Sequence, residues 1–119
     1  MAQKILVIDD DQVNVQLVQS RLQANGYEVI SALDGEAGLR KVKSEQPDLV
    51  ILDVQMPKMN GYTFMTEYKR IGAAAPVIVL TAHQEMQPIF TLKGVRGYLV
   101  KPLKIENLLE KIKECIGSE

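Results

Sequence analysis

In Pro47-Asp48-Leu49-Val50-Ile51-Leu52-Asp53-Val54-Gln55-Met56-Pro57-Lys58-Met59-Asn60-Gly61, an unbroken apolar run stops at an acid. Val50 and Ile51 favour a strand, and apolar residues at successive positions imply burial on both faces. Pro57 and the Asn60-Gly61 pair then mark a loop. Asp53 is thereby placed at the carboxyl end of a central strand, the edge of an open parallel sheet where ligands bind. On this stretch alone a capping or loop acid is the competing reading.

Outward from this strand the same pattern repeats. Lys4-Ile5-Leu6-Val7-Ile8 is an apolar run closed by Asp9-Asp10-Asp11. Val13, Leu17, Val18 and Leu22 then recur at helical spacing up to Asn25-Gly26, a helix stop. Tyr27 to Ser31 reads as a more polar strand at an edge. Asp34-Gly35 opens a helix through about Glu45, with Asp34 as its N-cap. Gly61, Phe64, Met65, Tyr68 and Ile71 mark the face of the helix after the central strand.

Val77-Ile78-Val79-Leu80 forms a fourth strand ending at Thr81, and Tyr98-Leu99-Val100 a fifth ending at Lys101-Pro102. Ile105, Leu108, Leu109, Ile112 and Ile116 give the cleanest amphipathic helix. Between Thr81 and Tyr98, Pro88 leaves room only for a short helix over Ile89, Phe90 and Leu92, because proline is tolerated in a first turn but not in a helix interior. Alternating strands and helices predict an α/β, doubly wound sandwich with a parallel sheet, because such crossovers are right-handed. The expected extent is one domain over residues 1–119.

Composition narrows the function classes. A formal net charge of -1, with both signs spread along the chain, leaves no electrostatic footprint for nucleic acid or an anionic membrane. No apolar run approaches the roughly 20 residues a membrane helix requires. The strand starting at Lys4 leaves no room for a signal peptide. The one cysteine, Cys115, has no internal disulfide partner. Together these predict a cytoplasmic protein with no direct DNA binding and no membrane partner.

The strand ends carry the chemistry. Asp9 and Asp10 follow the first strand, Asp53 the third, Thr81 the fourth and Lys101 the fifth. With strands one and three as neighbours, Asp9, Asp10 and Asp53 share a crevice, and carboxylates so placed repel unless they protonate or a cation joins them. All-oxygen ligands suit Mg²⁺. A lysine and a threonine hydroxyl beside them suit a phosphoryl group, whose oxygens need positive charge and hydrogen-bond donors. In this reading Asp53 attacks phosphorus, Lys101 neutralises charge, and Thr81 bonds a phosphoryl oxygen.

These features together resemble the receiver domain of two-component response regulators. The resemblance rests on Asp9-Asp10, on Asp53 with Met56-Pro57 and Gly61, on Thr81-Ala82, and on Tyr98-Leu99-Val100-Lys101-Pro102. It covers essentially the whole chain. It implies a (βα)5 flavodoxin-like fold with strand order 2-1-3-4-5, the order of flavodoxin and of a chemotaxis receiver protein. Asp53 matches the phosphorylated aspartate. Asp10 and Asp53 match side-chain Mg²⁺ ligands, Asp9 acts through water, and the Gln55 carbonyl completes the protein's ligands. Thr81 and Tyr98 match the switch pair, and the Lys101-Pro102 bond matches the family's cis peptide.

The implied function is a phosphorylation-dependent switch, charged by a histidine kinase or histidine phosphotransfer protein. It signals through an unidentified protein effector, as a monomer or as a phosphorylation-dependent dimer. The resemblance implies an acceptor rather than an enzyme, with at most slow Mg²⁺-dependent self-phosphorylation and autodephosphorylation. Asp11 is expected to cap the first helix and Asn14 to face solvent. His83, opposite Gln55 at the mouth of the site, is a candidate for tuning dephosphorylation, although a lone histidine is more often a surface residue.

Alternatives stay open. The chain is expected to be a stand-alone regulator, but a receiver excised from a hybrid kinase or larger regulator fits the same residues. A Mg²⁺-dependent aspartyl-phosphate phosphohydrolase is a second class. Such hydrolases place an acid two residues after the nucleophile, where this chain has Gln55. A receiver-shaped scaffold without phosphorylation is a third, opposed by the presence of Asp10, Asp53, Thr81 and Lys101. The step from Thr81 to Lys101 is shorter than the family's usual one. With Pro88 and Lys93 in it, a shortened helix and a remodelled output face are expected there.

Overall fold

In the computed structural model of the chain, residues 2–53, 61–82, 90 and 94–117 are described. Strands β1 (Lys4–Ile8), β2 (Glu28–Ala32), β3 (Leu49–Asp53), β4 (Val77–Thr81) and β5 (Gly97–Val100) form one parallel sheet in the order β2-β1-β3-β4-β5. Helices α1 (Gln12–Ala24), α2 (Gly35–Glu45) and α3 (Gly61–Arg70) connect the earlier strands, and a last helix spans Ile105–Ile116. The order is the flavodoxin-like one expected, with the more polar β2 at an edge. The expected helix between β4 and β5, with Pro88 and Lys93, lies outside the described residues except for Phe90, which is helical and buried.

The period-2 alternation of side chains sorts the strands' apolar residues into two cores. Leu6, Ile8, Val50, Leu52, Val77 and Val79 pack on one face with Val42 of α2 and with Phe64, Met65 and Tyr68 of α3. Ile5, Val7, Leu49, Ile51, Ile78 and Leu80 pack on the other with Val15, Val18 and Leu22 of α1 and with Leu108 and Ile112 of the last helix. Every residue of β3 and β4 is buried, as unbroken apolar runs covered on both sides require. Gly38 marks a tight helix–sheet approach, since a Cβ there would lie 2.5 Å from Ile8 Cδ1.

One helix face differs from the expectation. Val13 and Leu17 of α1 are 66% and 62% exposed, whereas Val15, which lay outside the expected apolar stripe, is buried. The helix carries two apolar rows. Val15, Val18 and Leu22 form the row that meets the sheet, and Val13 and Leu17, one turn apart, form the other. Both rows have helical periodicity, and only the first packs in the core with β1 and β3.

The helix starts follow their caps. The Asp11 carboxylate accepts from the N–H groups of Val13 (3.0 Å) and Asn14 (3.3 Å), and Asp34 accepts from that of Ala37 (2.7 Å). Each satisfies donors that the first turn leaves without intrahelical partners. Both caps agree with the sequence reading. Among the described residues no helix is long and apolar enough to cross a membrane.

Candidate functional site

The carboxyl ends of β1, β3, β4 and β5 lie side by side, because β1 neighbours β3, β3 neighbours β4, and β4 neighbours β5. Registry aligns Ile8 with Leu52, Asp53 with Leu80, and Thr81 with Val100. The polar residue ending each apolar run therefore arrives at the same edge. Asp9 and Asp53 are each 3% exposed, and Thr81 is fully buried. They are the buried polar and charged residues among those described, and they gather at one end of an otherwise apolar sheet.

Lys101 reaches this cluster from beyond β5. Its backbone N–H donates to the Thr81 carbonyl at 2.7 Å, holding the two strand ends together. Its ammonium donates to Asp53 Oδ2. Lys101 and Pro102 are joined by a cis peptide. Tyr98, on β5, is half-buried, its ring 6.0 Å from that of Phe90.

Asp9 is held from three directions. Its backbone N–H donates to the Ala32 carbonyl at the end of β2 (3.1 Å). Its Oδ1 accepts from the Asp11 N–H at 3.0 Å, and its Oδ2 from the Asn14 side-chain amide. Burial pushes the Asp9 carboxyl above its ordinary value. The bonds from Asn14 and Asp11 pull it down, the Asp53 charge pushes it up, and the Lys101 charge opposes that push. Two carboxylates thus interact in a poorly solvated crevice beside one lysine. Bringing ions out of water costs several kcal/mol each unless countercharge and hydrogen bonds offset it.

Asp10 is exposed, unlike Asp9 and Asp53. Among the described residues no three acidic, histidine or cysteine side chains are placed to hold a metal ion by themselves. The donor set nevertheless fits Mg²⁺, which takes oxygen ligands, keeps several waters, and is bound by one or two carboxylates rather than a full protein cage. The mutual repulsion of Asp9 and Asp53 is what a divalent cation relieves. Gln55, expected to offer a carbonyl, and His83, expected opposite it, lie outside the described residues, as do Met56 and Pro57.

Asn14 differs from its expected solvent-facing position. It is half-buried and bonded to Asp9. Asp11 is the N-cap of α1, so Asn14 sits at the third helical position. A side chain there points back toward the helix start, as in a capping box. The signal was present as a cap followed three residues later by an amide, but its target was legible only with the Asp9 carboxylate in place.

A cleft of about 360 Å³ opens beside the cluster, lined in part by Asn14, Leu17, Arg21, Lys101, Pro102 and Leu103. A second cavity, of about 350 Å³, lies at the opposite end of the sheet between the ends of α2 and α3, and includes Gln46, Pro47, Tyr68 and Ala75. It contains none of the residues expected to carry chemistry.

Known proteins are similar to this chain in sequence and fold. A family model described as the response regulator receiver domain matches residues 5–113. The chain is 36% identical over 118 residues to the alkaline phosphatase synthesis transcriptional regulatory protein PhoP of Bacillus subtilis, which covers 98% of the chain but 49% of PhoP. It thus spans about half of that relative's length. It is 33% identical over 120 residues to the chemotaxis protein CheY of the same organism, covering 98% of the chain and 100% of CheY. Among solved structures, the response regulator TrrA of Thermotoga maritima, in complex with Mg²⁺ and BeF, is 34% identical with a TM-score of 0.86, covering 95% of the chain and 98% of TrrA. With its strand order, its acids at the strand ends and the match over residues 5–113, the chain belongs to the response regulator receiver domain family, whose general function is phosphorylation-dependent signalling.

Proposed function

We propose that the chain is one receiver domain over residues 1–119 that accepts a phosphoryl group on Asp53 and signals through altered partner binding. The observation that carries this reading is the Lys101–Asp53 pair at the carboxyl edge of the sheet, beside buried Asp9 and Thr81. A buried carboxylate with a lysine already in contact is a nucleophile whose product charge is provided for in advance.

The donor is a histidine kinase or histidine phosphotransfer protein. Asp53 attacks phosphorus, the P–N bond to the donor histidine breaks, and that imidazole takes up a proton. The Lys101 ammonium transfers its hydrogen bond from the carboxylate to a phosphoryl oxygen. The Thr81 hydroxyl donates to another, and Tyr98 turns inward in response. Asp10 and Asp53 would hold Mg²⁺ with their side chains and Gln55 with its carbonyl, and Asp9 would act on the ion through water. When bound, Mg²⁺ neutralises charge on the phosphoryl oxygens. The TrrA complex with Mg²⁺ and BeF supports this ligand chemistry by analogy.

The chain acts as an acceptor, with slow self-phosphorylation and slow loss of the phosphoryl group, tuned by Gln55 and His83. The free thiol of Cys115 suits a reducing, cytoplasmic compartment. Intact-protein mass after incubation with acetyl phosphate and Mg²⁺ tests the reading. One phosphoryl adduct on wild type, absent without Mg²⁺ and absent in Asp53→Asn, is the expected result. Steady phosphate release without an adduct identifies a phosphohydrolase instead. Neither adduct nor release, even with a phosphorylated kinase present, removes the proposal.

A further inference from the structure

Both oxygens of the Asp9 carboxylate are engaged by the first turn of α1. The Asp11 N–H takes Oδ1 at 3.0 Å, and the Asn14 amide takes Oδ2. The first donor is backbone and comes with the helix start whatever the sequence. The second is a side chain and depends on this residue. The Asp11 carboxylate in turn fixes the turn that carries Asn14, by accepting from the backbone N–H groups of Val13 and Asn14. Three consecutive acids thus have three different settings: Asp9 buried and clamped, Asp10 exposed, and Asp11 exposed and capping.

We infer that Asn14 is a positioning residue of the acidic site, aiming the Asp9 carboxylate by gripping its Oδ2. This rests on the phosphoacceptor reading above. With two directional hydrogen bonds on two different oxygens, the carboxylate plane of Asp9 has one orientation. A carboxylate oxygen has two lone-pair directions, so each oxygen keeps one for water or a cation after accepting one bond. Without the Asn14 amide, Asp9 is held at one oxygen and can rotate about its side-chain bonds. A carboxylate that acts on an ion through water loses effect when its direction is lost, because outer partners orient the ligand shell. Asn14 also lines the cleft that Lys101 and Pro102 line.

The test is Mg²⁺ affinity measured by calorimetry or NMR titration on the full chain, in wild type, Asn14→Ala, Asp9→Asn and the double variant. Asn14→Ala is expected to weaken Mg²⁺ binding by about 3- to 10-fold, at an unchanged count of one ion. In the Asp9→Asn background the same change is expected to have no further effect, since coupled residues are non-additive. The ¹³Cγ resonance of Asp9 is expected to shift in metal-free Asn14→Ala, whereas a merely structural role would move melting temperature and leave that signal in place. Asn14→Ala binding Mg²⁺ as wild type does, or a full additional loss in the double variant, overturns the inference and leaves the phosphoacceptor reading standing. A wild-type chain that binds no Mg²⁺ at millimolar concentration overturns both.

Discussion

The Lys101 ammonium bonds the Asp53 carboxylate although β5 and β3 are not neighbours: β4 lies between them. The lysine therefore spans a strand, passing the end of β4 where its own backbone N–H is tied to Thr81. One residue thus links the ends of β3, β4 and β5, which bear the Asp53 carboxylate, the Thr81 hydroxyl and the Lys101 ammonium.

Removing that cation leaves Asp53 buried without its ammonium. Lys101→Ala is expected to lower stability at pH 7 in EDTA by about 1–2 kcal/mol, less than for a fully buried pair because the Lys101 side chain is 28% exposed. In an Asp53→Asn background the loss is expected to shrink. Urea unfolding of the four proteins measures this, and an equal loss in both backgrounds would deny the pair any energetic role.

Asp9 has the opposite consequence. Burial raises its carboxyl above the ordinary value, so the metal-free protein loses stability as pH rises from 3.8 through the folded value. Asp9→Asn mimics the neutral form, and the Asn14 amide can flip to meet it. The variant is expected to melt a few degrees higher than wild type at pH 7 in EDTA, with the difference reduced at pH 4. Saturating Mg²⁺ should narrow the gap, because the ion stabilises the wild-type site more.

Tyr68 is 3% exposed and donates its hydroxyl to the Ala75 carbonyl at 2.8 Å. Burial pushes the phenol up to about 12, from 10.0. Above pH 10 the unfolded chain loses this proton first, so stability falls with pH until the folded phenol also ionises. Tyr68→Phe is expected to cost about 1 kcal/mol at pH 7 and to show a shallower decline between pH 10 and pH 12. Denaturant midpoints across that range compare the two slopes.

Gly38 is required for packing rather than for backbone freedom. A Cβ there meets Ile8 Cδ1 at 2.5 Å, and Ile8 is fully buried. Gly38→Ala is expected to cost about 1–3 kcal/mol by overpacking. Adding Ile8→Val deletes the clashing carbon and should recover part of the loss. If Gly38→Ala stabilises instead, helix propensity outweighs the clash.

Much of this was legible in local patterns. Apolar runs ending in Asp9, Asp53, Thr81 and Lys101 marked the strands and the polar ends that meet at one edge of the sheet, and the acids Asp11 and Asp34 marked two helix starts. Those signals survive in one dimension because strand burial and capping depend on residues a few positions apart. The structure alone decided that α1 turns Val15 inward and leaves Val13 and Leu17 exposed, that Asn14 grips Asp9, and that Lys101 crosses β4 to Asp53. Periodicity defines the rows on a helix but not which row meets the sheet. Hydrogen bonds between distant side chains exist only once strand order and helix packing have set their directions.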